Sequence, residues 1–307
     1  MVKEGEEASA AVAEAGRRTT SRRELARHDR FSEVSPEVGE LDPDAFDELY
    51  DDDPDAALAL LADLTGATDE RLRSLARTLA GRVITELART GRITSRGIGR
   101  LVARRGGEGD LDLDASLDAI VEARAAGTRP DVSQLVTRDW TRPGTAVCLL
   151  VDRSGSMTGE RLAAAAVAAA AVVVRHGADC SVVAFGTEAV VVRSQGDSRD
   201  AEAVMTDLFR LRGHGTTDVA MALRTARAQL DRSRAGRRIT VLLSDCRPTA
   251  GGPATADASA LDELVIIAPA DDTEDAAALA GEVGCRWIPL GGPTTVPDAL
   301  HRALHRD

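Results

Sequence analysis

The chain has 307 residues, 38 of them basic and 50 acidic, for a formal net charge of -12. Hydrophobic residues make up 43% and charged residues 29%, a globular balance with room for one or two domains. Aromatics at 2% and an acidic whole exclude base-stacking nucleic-acid surfaces, and Lys3, the only lysine, leaves none for a Walker A loop or a buried Schiff base.

From the N-terminus, residues 1–42 are polar, mixed in charge and without apolar periodicity, which predicts a disordered tail. Met-Val-Lys-Glu-Gly-Glu-Glu lacks the basic and apolar regions of a signal peptide, so a cytoplasmic protein is expected. Residues 43–140 read as a mainly helical region with a basic linker. Ala56, Leu58, Leu60 and Leu61 begin a short helix that stops near Gly66. Thr68 is the expected cap of a longer one, with Leu72, Leu75, Ala76, Leu79, Val83, Ile84 and Leu87 at helical spacing and Gly91 ending it. This amphipathic pair needs a surface to pack on, either as a small domain or as a dock for its neighbour. Gly91 to Gly107, with Arg92, Arg96, Arg100, Arg104 and Arg105, reads as a solvated linker, or as a contact for an acidic segment such as Asp51–Asp53. Leu117 to Ala126 reads as a helix and Leu135 to Trp140 as extended.

Residues 141–307 alternate strand and helix, beginning with a wholly apolar strand at Val147 to Val151. Leu162 to Val174 is an Ala/Val run apolar on nearly every face. It reads as a buried helix, too short to span a bilayer and closed by Arg161 and Arg175. Cys180 to Phe185 and Ala189 to Val192 form a hairpin through Gly186-Thr187-Glu188. Helices follow at Ala201 to Leu211 and Val219 to Leu230, and strands at Ile239 to Leu243 and Leu264 to Ile267. A helix at Glu274 to Val283, a strand at Trp287 to Leu290 and a helix at Asp298 to His305 close the chain. The alternation predicts an α/β fold, a doubly wound and mostly parallel sheet covered by helices on both faces. Cys148, Cys180, Cys246 and Cys285 have no C-x-x-C spacing and read as reduced thiols, mostly in or beside strands.

Ligands of such sheets bind at the carboxyl ends of the strands. Three oxygen-rich segments fall there: Asp152-Arg153-Ser154-Gly155-Ser156-Met157 after the first strand, Gly213-His214-Gly215-Thr216-Thr217-Asp218 opening a helix, and Ser244-Asp245-Cys246 after a later strand. Hydroxyls and carboxylates without thiolate or imidazole suit a hard cation, Mg²⁺ first, with Mn²⁺ or Ca²⁺ as alternatives. Asp152 and Asp245 balance one divalent charge. An ion held in part by hydroxyls stays electrophilic and favours a carboxylate from outside.

Asp-x-Ser-x-Ser after the first strand, a distant Thr, then Asp after a later strand resembles the metal-ion-dependent adhesion site of von Willebrand factor A domains. The resemblance covers roughly Gly144 to Asp307 and implies Asp152, Ser154, Ser156, Thr217 and Asp245 as metal-binding positions, with Thr216 the alternative to Thr217. Cys246 departs from it, since the family often has Gly there. Within the superfamily the chain looks closest to bacterial intracellular members that accompany MoxR-type AAA+ ATPases. These act as adaptors linking an ATPase to a client during metal-centre insertion or protein maturation, and the client donates an Asp or Glu to the metal. The alternative is the magnesium chelatase D subunit, whose AAA+-like module has no counterpart here.

Catalysis by this chain is not expected. A phosphotransferase using Asp152 wants an acid two positions on, where Ser154 stands, and Ser156 is not in a G-x-S-x-G elbow. A metal-dependent hydrolase is the least favoured reading. His301 and His305, four apart on the last helix, are spaced to clip a metal but read as ordinary exposed histidines, and His214 reads as a polar loop residue.

Overall fold

The computed structural model describes residues 1–90, 100–106, 110–141, 144–153, 159–211 and 215–305. It divides into two units, Met1–Arg92 together with Thr145–Asp307, and Ile93–Gly144.

The first unit opens with β1 (Val2–Lys3), α1 (Glu6–Ala15), α2 (Arg22–Leu25), α3 (Phe31–Val34), α4 (Pro43–Asp52), α5 (Pro54–Leu64) and α6 (Glu70–Thr90). The second unit holds β2 (Arg100–Arg105), β3 (Asp110–Leu111), α7 (Leu113–Ala125) and β4 (Val136–Thr141). The first unit then resumes with β5 (Thr145–Asp152), α8 (Glu160–His176), β6 (Cys180–Phe185), β7 (Ala189–Arg193), α9 (Ala201–Arg210) and α10 (Val219–Leu230). It closes with β8 (Arg237–Leu243), α11 (Thr255–Ser259), β9 (Leu264–Pro269), α12 (Glu274–Val283), β10 (Arg286–Leu290) and α13 (Val296–Leu304).

Seven strands of the first unit form one sheet in the order β1-β7-β6-β5-β8-β9-β10. Every neighbouring pair is parallel except β6 with β7, the expected hairpin. The central strand β5 is buried from Ala146 to Asp152 on both faces, which is why it reads as a continuous apolar run. Val147, Leu149 and Val151 face one core with α8, while Ala146, Cys148 and Leu150 face the other with α10. Helices therefore cover both faces, as the alternation predicts.

On the α8 face every side chain from Leu162 to Val173 is buried. Its alanines let α5, α6, α9 and α13 pack closely against it. Helix α5 starts where Pro54 takes its first position and Asp53 accepts from the Ala56 amide, and it buries every residue from Ala57 to Leu64. Each fully buried leucine there contributes about 1.5–3 kcal/mol. The helix pair α5 and α6 is thus a dock on the sheet unit. The buried face of α6 is Leu72, Ala76, Leu79, Ala80, Ile84 and Ala88, whereas Leu75 is exposed. Its start is held by Asp69, whose Oδ1 accepts from the Leu72 amide at 2.7 Å, and not by Thr68, whose hydroxyl donates to the Thr20 carbonyl.

Two expectations need correction. Residues 1–42 are not a disordered tail. β1 pairs with β7, and Ala8, Val12, Leu25, Phe31 and Val34 are buried in the main core. Arg22 fastens this segment by donating to the carbonyls of Ser35, Pro36 and Glu37. Second, Arg100–Arg105, expected within a basic linker, is strand β2, hydrogen-bonded antiparallel to β4. Asp52 and Asp53, offered as contacts for that linker, instead pair with Arg30 and cap α5. Arg92 and Arg96 lie outside the described residues, as does Gly91. Helix α8 with the turn after it, Glu160–Asp179, is the one helix among the described residues long and apolar enough to cross a membrane, with an 18-residue window of mean hydropathy 1.4, and 67% of that window is buried inside the protein.

In the second unit, β2, β4 and β3 form an antiparallel sheet in that order. Asp112 caps α7 through the Ala115 amide and pairs with Arg138 on β4 at 2.6 Å.

Candidate metal centre

Each predicted site segment begins where a strand or turn leaves the sheet. Asp152 is the last residue of β5 and is buried. Parallel pairing sets Val151 beside Leu243, so Asp152 stands level with Ser244 just past the end of β8, and the Ser244 hydroxyl donates to Asp152 Oδ2 at 2.7 Å. Asp245 follows directly. Its Oδ1 accepts from the Arg247 amide at 3.0 Å, and Arg161 Nη1 on α8 lies 3.8 Å from its Oδ2.

Thr217 is buried and tied to both neighbours of this edge. Its amide donates to Thr249 Oγ1 at 2.7 Å, and its carbonyl accepts from the Thr249 and Ala250 amides, in the loop that follows Asp245. The next amide, of Asp218, donates to the Gly186 carbonyl in the β6–β7 turn, while Asp218 Oδ1 caps α10 through the Met221 amide at 2.9 Å. Gly215 has φ +91°, and a Cβ there would come within 2.7 Å of Thr187 Oγ1, so only glycine lets this loop lie against the turn.

Asp152, Thr217 and Asp245 therefore share the carboxyl edge of the sheet. Ser154, Ser156 and His214 lie outside the described residues. The donors in view are all oxygens, which fits a hard divalent cation. Among the described residues no three His, Cys, Asp or Glu side chains are grouped to hold a metal ion, so two carboxylates here would require hydroxyl partners.

Cys246 is buried behind Asp245 with φ +62°, in the left-handed region that favours glycine. Burial pushes its thiol up, and the carboxylates of Asp245 and Asp152 push it further. All four cysteines are free. Burial pushes Cys148 up to about 12 and Cys180 up to about 11. His301 and His305 are stacked on each other, with ring centroids 4.2 Å apart.

Sequence reasoning missed several supporting groups. Asp63 on α5 reaches the residue that opens α8: its Oδ1 accepts from the Gly159 amide at 3.3 Å, and its Oδ2 lies 2.9 Å from His28 Nε2. The available signal was a lone acid inside the apolar run of α5. Ser244 was visible beside Asp245, but its role depends on the register of β5 against β8.

Residues 147–248 match the family model of the von Willebrand factor type A domain. The matched stretch runs from β5 to the loop after β8 and so contains all five candidate positions. No curated protein matches the chain. Among solved structures, it is similar to an aerotolerance-related membrane protein from Bacteroides fragilis, at 17% identity over 52% of this chain and 98% of that one, with a TM-score of 0.43. It is also similar to a von Willebrand factor type A protein from Catenulispora acidiphila, at 16% identity over 67% of this chain and 49% of that one, TM-score 0.42. A third is the manganese-loaded TRAP protein of Plasmodium vivax, at 19% identity over 48% and 68%, TM-score 0.40.

Proposed function

We propose that this chain is a non-catalytic, Mg²⁺-dependent protein-interaction adaptor that works with a MoxR-type AAA+ ATPase in metal-centre insertion or protein maturation. The observation that supports the reading is that two carboxylates and a buried threonine, all oxygen donors, stand on the carboxyl edge of a sheet whose sequence matches the von Willebrand factor type A domain. Asp152, Thr217 and Asp245, with Ser154 and Ser156, would hold the ion. When bound, Mg²⁺ supplies an electrophilic centre for an acidic oxygen of the client.

The protein's own contribution is to present that edge. Ser244 orients Asp152, the Thr249 loop fixes Thr217, and Asp63 fastens the start of α8. The four free cysteines support a cytoplasmic setting. Immobilised full-length chain and its Asp152→Ala variant, each with Mg²⁺ or with chelator, test the reading on native extract. The expected result is a client retained by the wild type only with Mg²⁺, together with an AAA+ ATPase. Equal capture in all four conditions contradicts the metal-dependent mechanism, and absence of an AAA+ ATPase contradicts the partnership.

A further inference from the structure

Helix α7 sits on the antiparallel sheet of the second unit through a polar contact. Ser116, the only buried residue of the helix, accepts from the Val136 amide at 2.8 Å and donates to the Val136 carbonyl at 3.2 Å. Of the larger apolar side chains of α7 only Ile120 is half-buried. Leu113, Leu117 and Val121, spaced four apart along one stripe, are 64%, 56% and 56% exposed. Such a stripe is the face that a helix ordinarily buries. Asp114, Asp118 and Glu122 each follow a stripe residue and form a second exposed row, about 100° further round the helix. The unit's one ion pair among the described residues, Arg138 with Asp112, leaves all three unpaired. Arg124 closes the stripe at its C-terminal end.

We infer that this stripe is a docking surface for an amphipathic helix of a partner protein, apolar on one face and flanked by Lys or Arg. Two helices bury matching stripes along their length, and the charged rows beside the stripes decide which partner is accepted. The row on α7 is acidic, so it selects a basic row opposite and disfavours an anionic membrane surface. A second copy of this chain is the poorer occupant. Two stripes laid antiparallel about a two-fold axis bring both acidic rows to the same side, and each chain carries a net charge of -12. The surface lies within the second unit and uses no metal, so it stands apart from the function proposed above.

The test titrates full-length chain, with chelator present, into a fluorescein-labelled peptide of two Leu-Lys-Lys-Leu-Leu-Lys-Leu repeats, and into its counterpart with Glu for every Lys. By fluorescence anisotropy the wild type is expected to hold the lysine peptide at least about tenfold more tightly. Leu117→Ser should weaken that binding about tenfold, and the joint change Asp114→Asn, Asp118→Asn and Glu122→Gln should remove most of the preference between the peptides. Asp44→Asn, Asp47→Asn and Asp51→Asn together remove the same charge from the exposed side of α4 and should leave the preference within about twofold. All of these side chains are exposed, so unchanged unfolding curves are expected throughout. Binding untouched by Leu117→Ser, or an equal loss in the α4 variant, overturns the inference. Sedimentation that shows a wild-type dimer dissolved by Leu117→Ser also overturns it, in favour of a second copy.

Discussion

At position 246 a buried cysteine holds a backbone conformation, φ +62°, that side chains with a Cβ adopt at a penalty of roughly 1–2 kcal/mol. Its amide donates to Ser244 Oγ at 2.9 Å, and the same oxygen donates to Asp152, so the strained residue is part of the frame around the site. The usual ranking of Ala above Gly by about 0.5–1 kcal/mol should therefore invert here. Cys246→Ala keeps the strain and loses the thiol's packing, whereas Cys246→Gly loses the packing but relieves the strain. In urea unfolding, the glycine variant is expected to be the more stable of the two; an alanine variant at or above it would show that φ +62° carries no strain. At this scale Asp152 and Asp245 were legible because each ends or follows a wholly apolar run. Asp63 was not, since a lone charge on a helix says nothing of the partners that long-range packing brings to it.

Strand β1 is two residues long, yet it covers the edge of β7, and the residue after it is the best-held carboxylate of the N-terminal segment. Glu4 accepts from Arg232 through both oxygens, and also from Ser194 Oγ and Gln229 Nε2. The Arg232 hydrogen bond comes first in drawing its carboxyl from 4.5 to about 2, against the opposing effect of burial. A carboxyl lowered on folding stabilises above its unfolded value and loses that contribution as pH falls. Wild type should therefore exceed Glu4→Gln in stability at pH 7, with the gap closing between pH 4.5 and about 2. A gap independent of pH would mean that Glu4 acts only by packing. The N-terminal elements escaped sequence reasoning because their order comes from such distant contacts, while α10 and α12 were legible to the residue from apolar spacing. Strand β2 was misread for a related reason: an arginine-rich sequence reads the same whether or not the backbone pairs, and the pairing is with β4, more than thirty residues on.

For the whole molecule, the sheet order β1-β7-β6-β5-β8-β9-β10 places β5 at the centre, with β6 and β8 on either side. That order delivers Asp152, Asp245 and the Thr217 loop to one edge from segments up to 93 residues apart in sequence, as far as Asp152 is from Asp245. The alternation of strand and helix was enough to predict the sheet, and helical spacing to predict α5 and α6 as a pair that needs a surface, but not that the surface is α8, because helix-on-helix docking leaves no periodic mark of its partner. Under the proposed function, a chain of net charge -12 that met an acidic client would depend on the bound cation to offset repulsion. The most direct measurement is Mn²⁺ binding by the full chain, competed with Mg²⁺ and followed by electron paramagnetic resonance. It compares wild type with Asp152→Asn, Thr217→Val and Asp245→Asn, each checked for unchanged unfolding. The account predicts one competable ion per wild-type chain and an affinity weakened about tenfold or more in each variant; no bound ion in the wild type, or equal affinity in all four proteins, would contradict it.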